Sequence, residues 1–173
     1  GSVSWAGGSA GGADHIAVGL LANAAGVDPT AINYIAYSGG GEALAAILGN
    51  QVTAGISSVG EFKPQADAGT LRILAVTSEE RIEGIDAPTL SESGLDVVLQ
   101  NWRMVAAAPG LSAEDQAAIA ADIETMAKST AWQEALASKG WSDTYLAGDE
   151  FNAQLEQDIA TTAAVLKDIG LVE

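Results

Sequence analysis

The chain has 173 residues, with 7 basic and 23 acidic side chains and a formal net charge of −16; that balance excludes a nucleic-acid partner, which needs a basic footprint. It holds no cysteine and one histidine, which excludes disulfide scaffolds, thiol nucleophiles and two-histidine zinc motifs. Apolar residues reach 48%, too many for a disordered acidic tail, and the length suits one domain or two small lobes. The acidity is spread: residues 1–86 carry 3 basic and 9 acidic groups, and residues 87–173 carry 4 and 14. It repels anionic lipid as well as nucleic acid; ordinary export and a high-salt habitat both account for it. No run approaches the roughly 20 apolar residues of a membrane helix. No basic segment followed by an apolar one opens the chain, so no signal peptide is visible.

In chain order, Val3–Ala6 reads as a strand that ends in glycines. Asp14–Ala25 reads as a helix, with Ile16, Leu20 and Ala24 at helical spacing and Gly26 closing it. Ile32–Tyr37 is rich in strand formers; a Ser-Gly-Gly-Gly turn follows, then a short helix over Glu42–Leu48. Val52–Ser58 is a third strand candidate, leading into a helix over Val59–Ala68, and Leu71–Thr77 is a nearly continuous apolar run. Strands alternating with helices predict a mainly parallel sheet covered by helices.

The second half differs. Glu79–Gly94 is polar, carries Pro88 and reads as loop; Val97–Ala108 is extended and ends at Pro109-Gly110. Ser112 caps a helix, with Asp115 three residues on and Ile119, Ile123 and Met126 on one stripe. Trp132–Ala137 continues helically to Gly140, and Trp141–Leu146 is a short strand candidate. The last helix runs over Asp149–Ile169 with Phe151, Leu155, Ile159, Leu166 and Ile169 as its stripe, stopped by Gly170. The pattern is β/α to about residue 100 and helical after about 111, which predicts two structural units joined near Asn101–Pro109.

Three strand-to-helix connections share a composition: Gly7–Gly12, Tyr37–Glu42 and Ser57–Glu61. Such a loop serves as a tight turn or as an anion cradle, where backbone N–H groups, a hydroxyl and the positive end of the next helix converge. Three loops of one type lie at the same edge of a parallel sheet, where ligands bind. All three carry serines, which turns alone do not require. Their donors are neutral, which suits an anion that is held and released.

Gly7-Gly8-Ser9-Ala10-Gly11 also matches G-x-S-x-G, the nucleophile elbow of serine hydrolases. That chemistry needs a histidine arriving from a later loop, and His15 lies in the next helix, six residues after Ser9. No phosphate-binding P-loop or dinucleotide fingerprint occurs. Glu79, Glu80, Glu83 and Asp86 form a solvated face or a weak calcium site, and Arg103 pairs with a ligand carboxylate or within the structure. Trp5, Trp102, Trp132 and Trp141 are expected in cores or in packing between lobes.

Taken together, these segments resemble a family. Val3–His15 is similar to the opening of the second lobe in the substrate-binding receptors of tripartite tricarboxylate transporters, also called the Bordetella uptake gene family. Tyr37–Ala43, Ala68–Val76, Ser78–Arg81, Ala87–Gly94, Asn101–Arg103, Ala107–Gly110 and Gly170–Val172 follow in the family's order. The resemblance implies an α/β fold: a periplasmic-binding-protein-like (type II) lobe with a mainly parallel sheet, plus C-terminal helices of an incomplete first lobe. It places the second lobe at 1–102 and the crossover strand with returning helices at 103–173. Family members are considerably longer, so the opening of the first lobe is expected to be missing. The helix stripes after Ser112 and Asp149 are then expected to be exposed, inviting self-association.

The function implied is an extracytoplasmic, periplasmic receptor that delivers a small di- or tricarboxylate, or a related carboxylate, to membrane permease subunits, without catalysis, cofactor or metal. Position by position, the resemblance assigns ligand contact to Ser9, Ala10, Gly11 and Gly12 in the first loop. It assigns Tyr37, Ser38 and Gly39 in the second loop, and Ser58 with Val59 in the third. Ser9 and Ser38 are the expected hydroxyl donors, Gly11 and Gly12 the backbone donors. The rival readings are a sensory or regulatory domain of similar fold, a serine hydrolase at Ser9, and a structural fragment with no ligand.

Overall fold

Three short segments, each running into glycine or serine, supply the strands of a parallel sheet. The structure is a computed structural model that describes residues 3–173. Strand β1 spans Ser4–Gly7, β2 Asn33–Ala36 and β3 Ala54–Gly55. The sheet order is β2-β1-β3, with Ser4 opposite Asn33, Gly7 opposite Ala36 and Trp5 opposite Ala54. Helices α1 (Ala13–Ala24), α2 (Gly40–Leu48) and α3 (Val59–Asp67) follow the three strands in turn. This is the alternation expected from the sequence, and it follows from strand formers interrupted by glycines that no strand or helix interior favours.

The core of the sheet is built from small residues. Ala6 of β1 meets Ala43 and Ala46 of α2, and Val52, with Ile35, Tyr37 and Ile47 packed around them. Alanine at these positions lets α2 lie close on β1. Helix α1 buries Ile16, Ala17, Val18, Gly19 and Ala22. Its partner is the end of the last helix, α6 (Gly148–Asp168). A Cβ on Gly19 would stand 2.7 Å from Ile169 Cγ2 and 3.0 Å from Val165 Cγ1, so only glycine admits this approach. Asn23 Nδ2 donates to Asp168 Oδ2 at 2.8 Å beside it.

Two expected strands behave otherwise. Val52–Ser58 is strand only at Ala54–Gly55, with Thr53 N and Ile56 N donating to Ser4 O and Ala6 O on either side. The Leu71–Thr77 run forms no strand; Val76 alone bridges to Thr89, and Leu99 N donates to Thr77 O at 2.9 Å. Exposure alternates only over residues 71–75; Leu74 is exposed and Val76, which would share its face in a strand, is buried.

The chain divides into two compact units: one runs to Asn101 and takes in Asp158–Glu173, and the other is Trp102–Gln157. In the second unit lie α4 (Ala113–Ala127), α5 (Thr130–Lys139) and the start of α6. Ser112 and Ser129 cap α4 and α5 by accepting from the N–H groups of Asp115 and Trp132, at 3.1 and 3.2 Å. Gly140 ends α5 in the left-handed region at φ 63°. Trp102 packs edge-on against Phe151, with ring centroids 6.1 Å apart. Trp141 departs from the core role expected of it: it is exposed, lies in no strand, and carries the Lys139 ammonium over its face. Ile119 and Met126 on the α4 stripe are also exposed, as is Ile159 in the first unit.

Candidate functional site

The parallel register brings the carboxyl ends of β1, β2 and β3 to one edge of the sheet. The connections 8–12, 37–39 and 56–58 leave from that edge. Tyr37 N donates to Gly7 O and Ile56 N to Ala6 O, each at 2.9 Å, so the second and third loops are tied to the end of the first strand.

The first loop is held by side chains that lie behind it. Gly8 N donates to Asp14 Oδ2 at 2.8 Å, and Tyr34 Oη donates to Gly8 O at 2.7 Å. Gly11 N donates to His15 Nδ1 at 3.2 Å, and Gly12 N to Ser9 O at 2.9 Å. The His15 ring lies flat on Tyr34, with centroids 4.1 Å apart and planes 5° apart. Gly11 sits at φ 75°, the left-handed turn that sends the chain into α1. Burial raises the Asp14 carboxyl above its ordinary range, against the Gly8 N–H that lowers it, and the Glu61 charge raises it further. Burial lowers His15, and burial with the Asp14 charge raises the Tyr34 hydroxyl.

Exposed carboxylates hold the other two loops. Glu42 Oε2 accepts from Ser38 Oγ at 2.7 Å and from Ser38 N at 3.1 Å. These bonds hold Glu42 below the usual glutamate range. Glu61 Oε2 accepts from Ser58 Oγ at 3.0 Å and from Ser57 Oγ. A Cβ on Gly40 would run into the Glu61 carboxylate and Ser57 Oγ, so the start of α2 lies against the third loop.

The residues singled out by the sequence therefore gather at one edge, in different states. Ser9 and Ala10 are exposed at the tip of the first loop. The N–H groups of Gly11 and Gly12 are spent on His15 and Ser9. Ser38 and Ser58 are exposed, with their hydroxyls given to Glu42 and Glu61. Tyr37, Gly39 and Val59 are half-buried. Among the described residues, Ser9 Oγ makes no hydrogen bond. Sequence reasoning missed Asp14, Tyr34, Glu42 and Glu61. Three of them left a signal, an acid in the first turn of the helix after each loop; Tyr34 left none. The edge offers hydrogen-bond donors and helix dipoles, not a proton-transfer pair, because His15 Nδ1 is engaged by Gly11 and not by Ser9.

An α/β unit with parallel strands delivering glycine-serine loops to one edge is the architecture of a periplasmic binding protein. The sequence profile described as "Tripartite tricarboxylate transporter family receptor" matches residues 1–171, and the chain belongs to that family. Protein BugT of Bordetella pertussis is 30% identical over 142 residues, 81% of this chain and 44% of that protein. A solute-binding protein of the same family from Polaromonas, solved without ligand, is 27% identical with a TM-score of 0.78, covering 96% of this chain and 57% of the other. A protein from R. palustris solved with adipate is 23% identical with a TM-score of 0.80, covering 98% and 56%; at that identity it speaks for the fold alone. The chain thus spans about half the length of the proteins it matches.

Proposed function

We propose that this chain carries the second-lobe loops of an extracytoplasmic, periplasmic receptor. The receptor captures a small organic acid, a di- or tricarboxylate or a related carboxylate, and passes it unchanged to the permease subunits of a tripartite tricarboxylate transporter. The observation that carries this reading is the convergence of three glycine-serine loops at one edge of the β2-β1-β3 sheet. Family membership supports it. Ser9, Ala10, Gly11 and Gly12 form the principal seat. Tyr37, Ser38, Gly39, Ser58 and Val59 line its flank. Ser9 offers an unspent hydroxyl at the head of α1, where the helix dipole favours an anion by about 0.3–1 kcal/mol. Local donors must supply the attraction, because the net charge of −16 opposes any anion.

Thermal unfolding with adipate, citrate and the uncharged adipamide tests the reading. Adipate is chosen because the R. palustris relative was solved with it. A bound acid at a hundred times its dissociation constant stabilises the chain by about 2.7 kcal/mol, and adipamide does not. Indifference to every di- and tricarboxylate tried overturns the proposal.

A further inference from the structure

We propose that Asp14, His15 and Tyr34 are positioning residues for the first loop, and that the loop keeps its anion-binding shape only while His15 is uncharged. The brace is a feature of the fold; its effect on affinity rests on the receptor reading above.

None of the three side chains bonds the exposed tip at Ser9 and Ala10. Each grips backbone behind it. Gly8 is held from both sides, its N–H by the Asp14 carboxylate at 2.8 Å and its carbonyl by the Tyr34 hydroxyl at 2.7 Å. Gly11, the left-handed residue of the turn, has its N–H on His15 Nδ1 at 3.2 Å. The stacked His15 and Tyr34 rings fix each other, so the two grips are one unit. A Cβ on Gly7 would collide with the Tyr34 hydroxyl and stand 2.9 Å from Asp14 Cβ, so the brace closes with no spare room.

A ring nitrogen that accepts a hydrogen bond bears no proton, so the neutral His15 carries its proton on Nε2. Protonation would place an N–H on Nδ1, pointing at the Gly11 N–H. Two donors would then face each other, and the grip on Gly11 would be lost. The neighbours that bear on this titration come from every packed element. Asp14 lies beside His15 on α1, and Tyr34 faces it from β2. Glu61 of α3 acts on Asp14. Leu166 and Leu171 bring only methyl groups to Gly11. Tyr34 keeps its proton throughout, since its hydroxyl is raised, and Asp14 still accepts from Gly8 through one oxygen when protonated. Burial holds His15 below its ordinary 6.5, so the change falls on the acid side of that value.

Asparagine separates this role from plain structure, because its Oδ1 stands where Nδ1 stands and does not titrate. Amide NMR of the wild-type chain from about pH 7.5 to about pH 5 is expected to show the Gly11 N–H shift moving with the His15 ring resonances. Affinity for adipate, followed in parallel, is expected to weaken roughly three- to tenfold on His15 protonation, the worth of one hydrogen bond. The H15N profile is expected to be flat over the same interval, and H15A to be weak at both ends. A Gly11 amide that ignores the His15 titration overturns the brace, even if no variant folds. Affinity that rises on acidification overturns it too, because an imidazolium would then be attracting the anion directly. Failure of adipate to bind at any pH counts against the receptor reading, and the Gly11 amide then decides the brace alone.

Discussion

In the first loop the backbone is clamped from behind by half-buried Asp14, His15 and Tyr34, and the Ser9 hydroxyl at the tip is left unspent. In the second and third loops, the carboxylates of Glu42 and Glu61 reach back from exposed positions and take up the hydroxyls of Ser38, Ser57 and Ser58. Both arrangements satisfy groups at a helix N-terminus, but they do so at different depths. A half-buried brace fixes geometry before a ligand arrives and lowers the ordering cost of binding. An exposed carboxylate competes with water and salt and contributes little. It also repels an incoming acid. On the proposed reading the first loop is a prepared seat. The other two must release a serine from an internal anion before they can serve an external one.

The largest effect expected from breaking this contrast is that of Gly7→Ala. Its methyl group meets the Tyr34 hydroxyl and Asp14 Cβ, neither of which can retreat without loosening Gly8. Overpacking of this kind costs about 1–3 kcal/mol, measured as a fall in the urea midpoint. Gly40→Ala is the matching change at the third loop. There the methyl meets the Glu61 carboxylate and Ser57 Oγ, both at free ends of side chains, and it is expected to cost clearly less. Equal losses at the two glycines would remove the distinction between a braced and an unbraced loop. Next in size is Tyr34→Phe. It keeps the stack on His15 and deletes only the donor to Gly8 O, leaving a half-buried carbonyl unpaired at a cost of about 1–3 kcal/mol. Unchanged stability would mean that water replaces the hydroxyl and that the brace has one arm fewer.

The three loops were legible in the sequence because glycine and serine clusters between strand formers and helix formers have few other uses. The α/β class followed from the same alternation. The brace was not legible, since it depends on Tyr34 of β2 crossing to a carbonyl 26 residues earlier, and side-chain spacing carries no sign of that. The sequence places His15 in the helix after Ser9, where it lies, but its spacing does not show that Gly11 is its partner. Leu71–Thr77 misled for a different reason. Its apolar composition reports that side chains can be covered, as Val76 is, not whether a neighbouring backbone is in place to pair. Trp141 misled through its size alone: it lies exposed, with the Lys139 ammonium over one face of its ring.

The smallest effect expected is in the response to acid, and there the carboxylates of the two kinds of loop differ in sign. Asp14 has a raised pKa in the folded chain, so the native state binds its proton more readily than the unfolded state does. Its contribution is fully present below the ordinary 3.8 and is lost as pH rises through the folded value. Glu42 has a lowered pKa, so its contribution is present above the ordinary 4.5 and is lost as pH falls through the folded value. Acidification through the carboxylate range therefore adds stability at Asp14 while it removes stability at Glu42; the loss of the His15 grip on Gly11 is common to the wild type and both variants. Urea midpoints from about pH 7 to about pH 3 are expected to fall more steeply with acid in Asp14→Asn than in the wild type, because the compensating gain is gone. They are expected to fall less steeply in Glu42→Gln, because one source of loss is gone. The difference at Glu42 is the smaller, since its carboxylate is exposed and screened. Two profiles displaced in the same direction would mean that both carboxylates do the same job, and that depth of burial does not separate the loops.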